Sequence, residues 1–286
     1  MNPLRRAVDA ATAVLGEAGI DSARTDAELL AAHLLGVERG RLSFADVPAD
    51  FADRYSELIN ARANRVPLQH ITGVAAFGPV LLEVGPGVFV PRPETEALLE
   101  WALSQDLPPS PVIVDVCTGS GALAIALATV LPGATVTGID ADPTALGYAR
   151  RNATRTNAAM VQGDVTDEGL LAGLAGTVDL VVSNPPYVPA GADLQPEVAV
   201  HDPAHAVFAG EDGMAVIIPL VARAANWLKS GGLLAVEHDD TTSAHTVETI
   251  IGTGLFAEVT PHRDLTGRPR FVTARRVSRH DERECP

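Results

Sequence analysis

The residues best suited to chemistry are Asn184-Pro185-Pro186-Tyr187. Pro185 forces Asn184 toward an extended backbone, Pro186 does the same to Pro185, and neither proline carries an N–H. The turn therefore offers acceptors without backbone donors at those two positions. The Asn184 side-chain oxygen and the Pro185 carbonyl can accept both hydrogens of a planar –NH2 group, on which Tyr187 can stack. An amide or exocyclic amine nitrogen is a poor nucleophile because its lone pair is delocalised. Two acceptors on its hydrogens aim that lone pair at an electrophile and relieve the positive charge that develops on attack. Each net hydrogen bond contributes about 0.5–1.5 kcal/mol, whereas orientation in a water-poor pocket contributes roughly 7–11 kcal/mol in favourable cases. No general base of unusual pKa is needed. The plain alternative is a proline turn, since Asn-Pro commonly opens loops.

A second constellation is Asp115-Val116-Cys117-Thr118-Gly119-Ser120-Gly121, which ends an apolar run and precedes a helical one. Its glycines let the backbone approach a ligand, and a helix N-terminus offers free N–H groups. Asp140 lies 19 residues after Gly121, where nucleotide-binding βαβ units place the carboxylate that holds ribose hydroxyls. Gly119 to Ala124 also satisfies the relaxed dinucleotide pattern, so a nicotinamide cofactor stays open, as does a turn without a ligand. Asp115 suits a cofactor bearing an ammonium group and would be awkward beside a pyrophosphate. Asp164 follows the third strand of the alternating region, where a base edge could be read. These two carboxylates favour S-adenosylmethionine over NAD.

Both constellations need a sheet to present them. Val112–Val116, Thr135–Ile139, Ala159–Gln162, Leu180–Ser183 and Leu233–Glu237 read as strands. They alternate with predicted helices over Ala122–Val130, Asp142–Asn152, Glu168–Leu174, Met214–Leu228 and Ala244–Ile251. Such alternation implies a doubly wound, mostly parallel α/β sheet. Phe256–Thr260 and Arg270–Thr273, joined by a turn over Asp264 to Arg268, predict an antiparallel pair at its edge. Upstream, residues 1–74 carry helical patterning only. Leu4, Val8, Ala11, Leu15 and Ala18 recur at three- and four-residue steps up to Gly19. A second helix spans Ala23–Leu35, with Leu29, Leu30, His33 and Leu34 on its apolar side, and a third covers Phe51–Ala63. This small bundle has no catalytic spacing and reads as a packing or partner-docking module. Residues 75–92 predict a β-hairpin linker around Gly85-Pro86-Gly87, leaving 93–286 as the sheet domain.

Composition narrows the function classes. Of 286 residues 47% are apolar, enough for a substantial core. There are 21 basic and 36 acidic residues, a net charge of −15, which argues against direct nucleic-acid or anionic-membrane binding. Cys117 and Cys285 cannot build a disulfide framework or a structural zinc site. Asp9 interrupts the apolar stretch after Arg5 and Arg6, which argues against a secretory leader. A cytoplasmic protein without a membrane span is expected. His201 and His205 are four apart but separated by Pro203, which argues against a shared metal face.

Taken together, these segments resemble the HemK/PrmC family of protein glutamine methyltransferases. The resemblance runs through Pro67-Leu68-Gln69-His70-Ile71-Thr72-Gly73, Phe89 to Glu96 with its Pro-Arg-Pro-Glu-Thr-Glu, the glycine loop and Asn184 to Tyr187. It continues through Pro196-Glu197-Val198, His201-Asp202-Pro203, Gly210 to Gly213, Gly231-Gly232 and Asp264 to Arg268. It implies a Rossmann-like class I methyltransferase fold and methyl transfer from S-adenosylmethionine, leaving S-adenosylhomocysteine. The implied acceptor is the side-chain nitrogen (N5) of the Gln in the Gly-Gly-Gln motif of class-one peptide chain release factors. Carried over by position, Asp115, Cys117, Thr118, Gly119, Ser120, Gly121 and Asp140 would hold the cofactor. Asp164 and Val165 would flank its adenine, and Asn184, Pro185, Pro186 and Tyr187 would grip the glutamine. Asn184 would touch cofactor as well, and the bundle would help dock the release factor. Cys117 stands where the family usually has glycine, His201 replaces a common aromatic, and Glu237-His238-Asp239-Asp240 replaces a more usual Glu-Ile-Gly run without an expected role. A ribosomal-protein glutamine methyltransferase and an N6-adenine nucleic-acid methyltransferase remain open. A nicotinamide oxidoreductase would leave Asn184 to Tyr187 unexplained, and a non-catalytic binding module would require an occluded pocket.

Overall fold

The computed structural model describes residues 3–264 and 267–278. Expectations falling on Leu265, Thr266 and Cys285 lie outside the described residues. The chain divides into two compact units, Met1–Val74 with Leu194–His201, and Ala75–Asp193 with Asp202–Pro286.

In the first unit, α1 (Pro3–Glu17), α2 (Ala23–Leu35), α3 (Phe51–Ala63) and the short α4 (Leu68–Thr72) form the bundle. Leu4, Val8, Ala11 and Leu15 of α1 pack on Ala27, Leu30 and Ala31 of α2 and on Phe51, Tyr55 and Ile59 of α3. The apolar side of α2 differs from the expected one. His33 is exposed, Leu29 and Leu34 are half-buried, and the buried face runs through Ala23, Asp26, Ala27, Leu30 and Ala31. Alanines weigh little in a hydrophobic pattern yet allow close helix approach, and Asp26 is buried because Arg62 pairs with it at 2.7 Å.

The second unit opens with β1 (Val74–Phe77) and β2 (Val80–Glu83), a two-stranded sheet. Its turn is Gly78-Pro79, not Gly85-Pro86-Gly87 as expected, and Val88–Val90 is not a strand. Gly78 takes a left-handed φ of 48° and proline fixes the next residue, which is sufficient for a tight reversal. Next come a 3-10 turn (Pro93–Thr95), α5 (Glu96–Leu103), β3 (Val112–Val116), α6 (Ala122–Val130), β4 (Thr135–Asp140), α7 (Pro143–Asn152), β5 (Ala159–Gln162) and β6 (Val178–Ser183). The helix expected over Glu168–Leu174 is absent; only a 3-10 turn at Ala172–Leu174 forms. Gly169, Gly173 and Gly176 depress helix propensity there, and Leu171 adopts a left-handed φ of 49°.

After β6 the chain forms two short helices, α8 (Pro196–His201) and α9 (Ala204–Val207), where only a loop was expected. The helix α10 (Ile217–Trp227), β7 (Leu228–Glu237), α11 (Ser243–Gly252), β8 (Phe256–Arg263) and β9 (Pro269–Arg276) complete the described unit. Among the described residues the main sheet has the order β5-β4-β3-β6-β7-β9-β8. Its first five strands run parallel, and β9 pairs antiparallel with β7 and β8. The doubly wound sheet and its antiparallel edge agree with the expected fold class. Side chains alternate between two cores, as period-two strands require. Ile113, Leu180, Val182 and Phe271 face α5 and α6, whereas Val114, Val181, Val236 and Val272 face α10 and α11. With both faces covered, the carboxyl ends of the strands are the open rim.

Candidate active site

Strand order brings the expected residues together. β3 lies between β4 and β6, so the chain departs from it in both directions and leaves a crevice at the reversal. Val116 registers with Ile139 on one side and Ser183 on the other, and Asp140 registers with Gln162. The glycine loop, Asp140, Asp164 and Asn184 thus leave neighbouring strand ends on one edge of the sheet. Ser183 Oγ donates to the Val116 carbonyl at 2.6 Å and ties the two central ends together.

Asp115 is buried. One of its oxygens accepts from Thr118 Oγ1 at 2.5 Å and from the Ala124 amide at 3.0 Å, while Oδ1 has no partner among the described residues. Burial pushes this carboxyl up to about 7, against those two hydrogen bonds, with Asp140 adding to the rise. Asp140 accepts from the Gly119 amide at 2.8 Å and from the Asp142 amide at 2.9 Å, which holds the loop against β4. Burial outweighs these bonds and raises its pKa also. Asp142 caps α7 by accepting from the Thr144 amide, as the Asp-Pro signal predicts.

Gly121 has a φ of 90°, and a side chain there would press on Ile125 at 2.6 Å. Gly119, with a φ of 57°, faces open space: an added Cβ would meet nothing within 4 Å. Cys117 is itself left-handed, with a φ of 59°. A position that favours glycine conformationally is therefore occupied by a small side chain under strain. Desolvation and then the Asp140, Asp115 and Asp164 carboxylates push its thiol well up, so it is no ready nucleophile. Thr118 and Ser120 are buried, and the Ser120 carbonyl accepts from Asn152 at 3.0 Å. Asp164 is exposed and accepts from the Thr166 amide and hydroxyl, bonds that lower its pKa. Val165 is buried in the core beside α10.

On the other side of the crevice, Pro185 is buried and Asn184, Pro186 and Tyr187 are half-buried. Asn184 Nδ2 donates to Thr95 Oγ1 at 3.0 Å. That bond commits one amide hydrogen to Thr95, and Oδ1 accepts from no described side chain. The Tyr187 hydroxyl donates to Glu237 Oε1 at 3.1 Å. Gly213 lies so close that a side chain there would collide with the Tyr187 carbonyl. The following loop is held by Val188 N to Val207 O at 3.0 Å and Ala190 N to Gly210 O at 2.8 Å. Arg92 pairs with buried Asp202 and stacks on Phe89 at 4.7 Å.

Thr95 and Glu237 had no role in the sequence reading. The available signals were the placement of Thr95 inside the Pro-Arg-Pro-Glu-Thr-Glu segment and of Glu237 at the end of a strand. Because Ser183 registers with Val236, Asn184 and Glu237 are the next residues on adjacent strands. Glu94 and Glu96 read as helix-dipole partners; Glu96 also accepts from the Gly78 amide at 3.2 Å.

Comparison with known proteins agrees with this geometry. Residues 6–73 match the family described as PrmC N-terminal domain, and residues 86–259 match that described as Methyltransferase small domain. A Mycolicibacterium smegmatis protein named Release factor glutamine methyltransferase is 61% identical over 280 residues, covering 98% of this chain and 100% of its own. The chain belongs to the release factor glutamine methyltransferase family. Family relatives of the same name include one from Mycobacterium tuberculosis, 59% identical with 96% and 91% of the two chains covered. A Streptomyces coelicolor member is 46% identical, covering 97% and 99%. A crystal structure of a methyltransferase from Pyrococcus furiosus shares the fold, with a TM-score of 0.51, 20% identity and coverage of 69% and 89%. Within this family of methyltransferases, the crevice at the β3 reversal is the candidate reaction site. No described helix is long and apolar enough to cross a membrane.

Proposed function

We propose that this enzyme methylates the side-chain amide nitrogen (N5) of the Gln in the Gly-Gly-Gln motif of class-one peptide chain release factors, using S-adenosylmethionine. The observation that carries the reading is Asn184, whose Nδ2 is committed to Thr95 Oγ1 and whose Oδ1 accepts from no described side chain, followed by two prolines without N–H groups and one strand from a loop with an unpaired buried carboxylate oxygen. An amide –NH2 needs two acceptors and no general base, and this rim supplies acceptors alone.

The loop suits the cofactor. Asp115 Oδ1 lacks a partner and matches an ammonium group, and the open space before Gly119 leaves room for a ligand backbone. Asp115, Cys117, Thr118, Gly119, Ser120 and Gly121 would hold the amino-acid part. Asp140 would hold ribose hydroxyls with its remaining lone pairs, and Asp164 and Val165 would flank the base. When bound, S-adenosylmethionine supplies an electrophilic methyl on a sulfonium. Asn184 and Pro185 would orient the acceptor nitrogen and draw off charge as it becomes cationic, Tyr187 and Pro186 would wall the amide during transfer, and the methylated nitrogen would then shed one proton to solvent to end as a neutral amide. The bundle 1–74 serves as docking module, 75–92 as linker and 93–286 as methyltransferase domain. This reading places the enzyme in the cytoplasm with its protein substrate and includes no direct nucleic-acid contact. The −15 net charge disfavours an adenine acceptor.

The test incubates the protein with labelled S-adenosylmethionine and a class-one release factor. Label should enter the wild-type factor and be absent when the motif Gln is replaced by Ala. Labelling of a ribosomal protein or DNA in place of the factor would overturn the assignment.

A further inference from the structure

A contact between residues that follow β6 and residues that follow β4 has to pass over the end of β3, because β3 lies between them in the sheet. His205 of α9 makes such a contact. Its Nε2 lies 3.1 Å from Oδ2 of Asp142, two residues beyond the end of β4. The span crosses the glycine loop, where Gly119 faces open space and donates its amide to Asp140. His205 is also near enough to Asp140 to act on its charge. Burial pushes the Asp142 carboxyl up, but the Thr144 amide and His205 outweigh it and hold its pKa below the usual carboxylate range. Asp142 is therefore an ionised acceptor, and the His205 Nε2 carries the hydrogen. The two ends of the α9 segment are fixed on the opposite bank. Before α9, buried Asp202 pairs with Arg92, three residues ahead of the Thr95 that holds Asn184. At its other end, Val188 N donates to Val207 O at 3.0 Å and Ala209 N donates to Val188 O at 3.0 Å. Val188 follows Tyr187 directly, and Val207 and Ala209 are buried. Buried anchors thus hold one side of the segment, whereas a contact of the exposed His205 side chain holds the other.

We propose that α9 is a lid over the cofactor crevice, hinged at Arg92 and Val188 beside the β6 end and clasped to the β4 end by His205 and Asp142. His205 is a positioning residue in this device. It acts through Asp142 and sets how readily the crevice opens to exchange S-adenosylmethionine for S-adenosylhomocysteine, a step that limits turnover in many lidded enzymes. The hinge lies on the rim that carries Asn184 to Tyr187, so the lid can swing while that rim stays in place. A clasp exposed to solvent on one side is weak, and opening should respond to its loss by a few-fold. The identity of the exchanged ligand rests on the proposed function; the clasp is a property of the protein alone.

The test measures association and dissociation of S-adenosylhomocysteine on the immobilised full-length protein by surface plasmon resonance. His205→Ala should raise the dissociation rate about three- to fivefold without slowing association. Asp142→Asn keeps an oxygen for the Thr144 amide but turns an –NH2 toward His205, and it should have the same effect. The His205→Ala/Asp142→Asn double variant should release little faster than either single, because both open one contact. His205→Lys restores a charged donor and should return the rate to within about twofold of wild type. Unchanged dissociation in His205→Ala, slowed association, an equally fast His205→Lys, or multiplied effects in the double variant would each overturn the proposal. A second readout needs no ligand: hydrogen exchange, by mass spectrometry, of the Ala206 and Phe208 amides, which bond to the Pro203 and Ala204 carbonyls within the lid. Exchange there should quicken about threefold or more in His205→Ala, with the amides of β3 unchanged. Unaltered exchange in α9 overturns the clasp. Failure of the wild-type protein to bind S-adenosylhomocysteine would count against the proposed function and leave the exchange measurement to decide the clasp.

Discussion

At the scale of single residues, Asn184 and Asp115 divide the work between acceptor and cofactor, and the division is measurable. Asn184→Ala removes an acceptor for the glutamine amide and touches no atom of the Asp115 loop. Turnover should fall by about a hundredfold or more while cofactor affinity by calorimetry falls by no more than about threefold, because the Asp115 loop and Asp140 keep their contacts when the one at Asn184 is lost; normal turnover would refute the assigned role. Asp115 carries a pH dependence whose sign follows from its raised pKa of about 7 against an ordinary 3.8. In the cofactor-free fold the neutral carboxyl is favoured. Its contribution to stability is therefore fully present below about pH 4 and is lost as pH rises through 7. Cofactor binding runs the opposite way, since an ammonium group favours the ionised form and a proton must leave below pH 7. Affinity should rise about tenfold from pH 6 to pH 8, and Asp115→Asn should bind more weakly with a flat profile. A flat wild-type profile would contradict the ammonium assignment.

At the scale of elements, strand ends and tight turns set the precision of the site. The β3–α6 turn combines a left-handed Cys117, Gly119 and Gly121, with Gly121 packed against the first turn of its own helix. Gly121→Ala adds a Cβ in a backbone region that L residues avoid, directly against Ile125. It should cost roughly 1–3 kcal/mol of stability, read as a lower urea midpoint at unchanged slope. Cys117→Gly, in contrast, relieves a strained φ and should be neutral or stabilising by up to about 1 kcal/mol. Equal destabilisation by both substitutions would argue that the loop is not conformationally constrained. The hairpin at β1 and β2 shows the same rule: a left-handed glycine before proline set the reversal, while Gly85 and Gly87 were used for close contacts with Tyr148 and Thr144.

At the scale of the whole molecule, the chain leaves the second unit after Asp193, contributes Leu194–His201 to the first, and returns at Asp202. Within the first unit, Glu197 accepts from Arg62 at 3.0 Å and Arg65 at 2.8 Å, and Arg62 also pairs with Asp26. Desolvation pushes the Glu197 carboxyl up, but hydrogen bonding and the two arginines outweigh it and hold its pKa below the usual carboxylate range. The stability it contributes is present above its unfolded pKa and is lost as pH falls through the lowered one. Glu197→Ala leaves mostly buried Arg62 with one partner fewer. The expected cost is roughly 1–3 kcal/mol, less than for a fully buried pair because Glu197 is partly solvated. Limited proteolysis between residues 190 and 203 should become faster, and unaltered cleavage would show that the ion cluster does not hold this segment.

Sequence alone determined what local chemistry determines. Short continuous apolar runs marked the strands, Asp-Pro marked the start of α7, and the missing N–H groups of Pro185 and Pro186 defined a turn without backbone donors at those positions. Local chemistry was also ambiguous where several glycines competed, as in the hairpin, and where alanines formed the buried face of α2. Tertiary structure decided which distant groups meet. Asn184 and Glu237 are far apart along the chain and meet at neighbouring strand ends because β6 and β7 pair in one register, while Thr95 reaches Asn184 from the turn before α5. A hydrogen bond between residues so distant in sequence exists only once the sheet has brought their strand ends together, which no local pattern specifies.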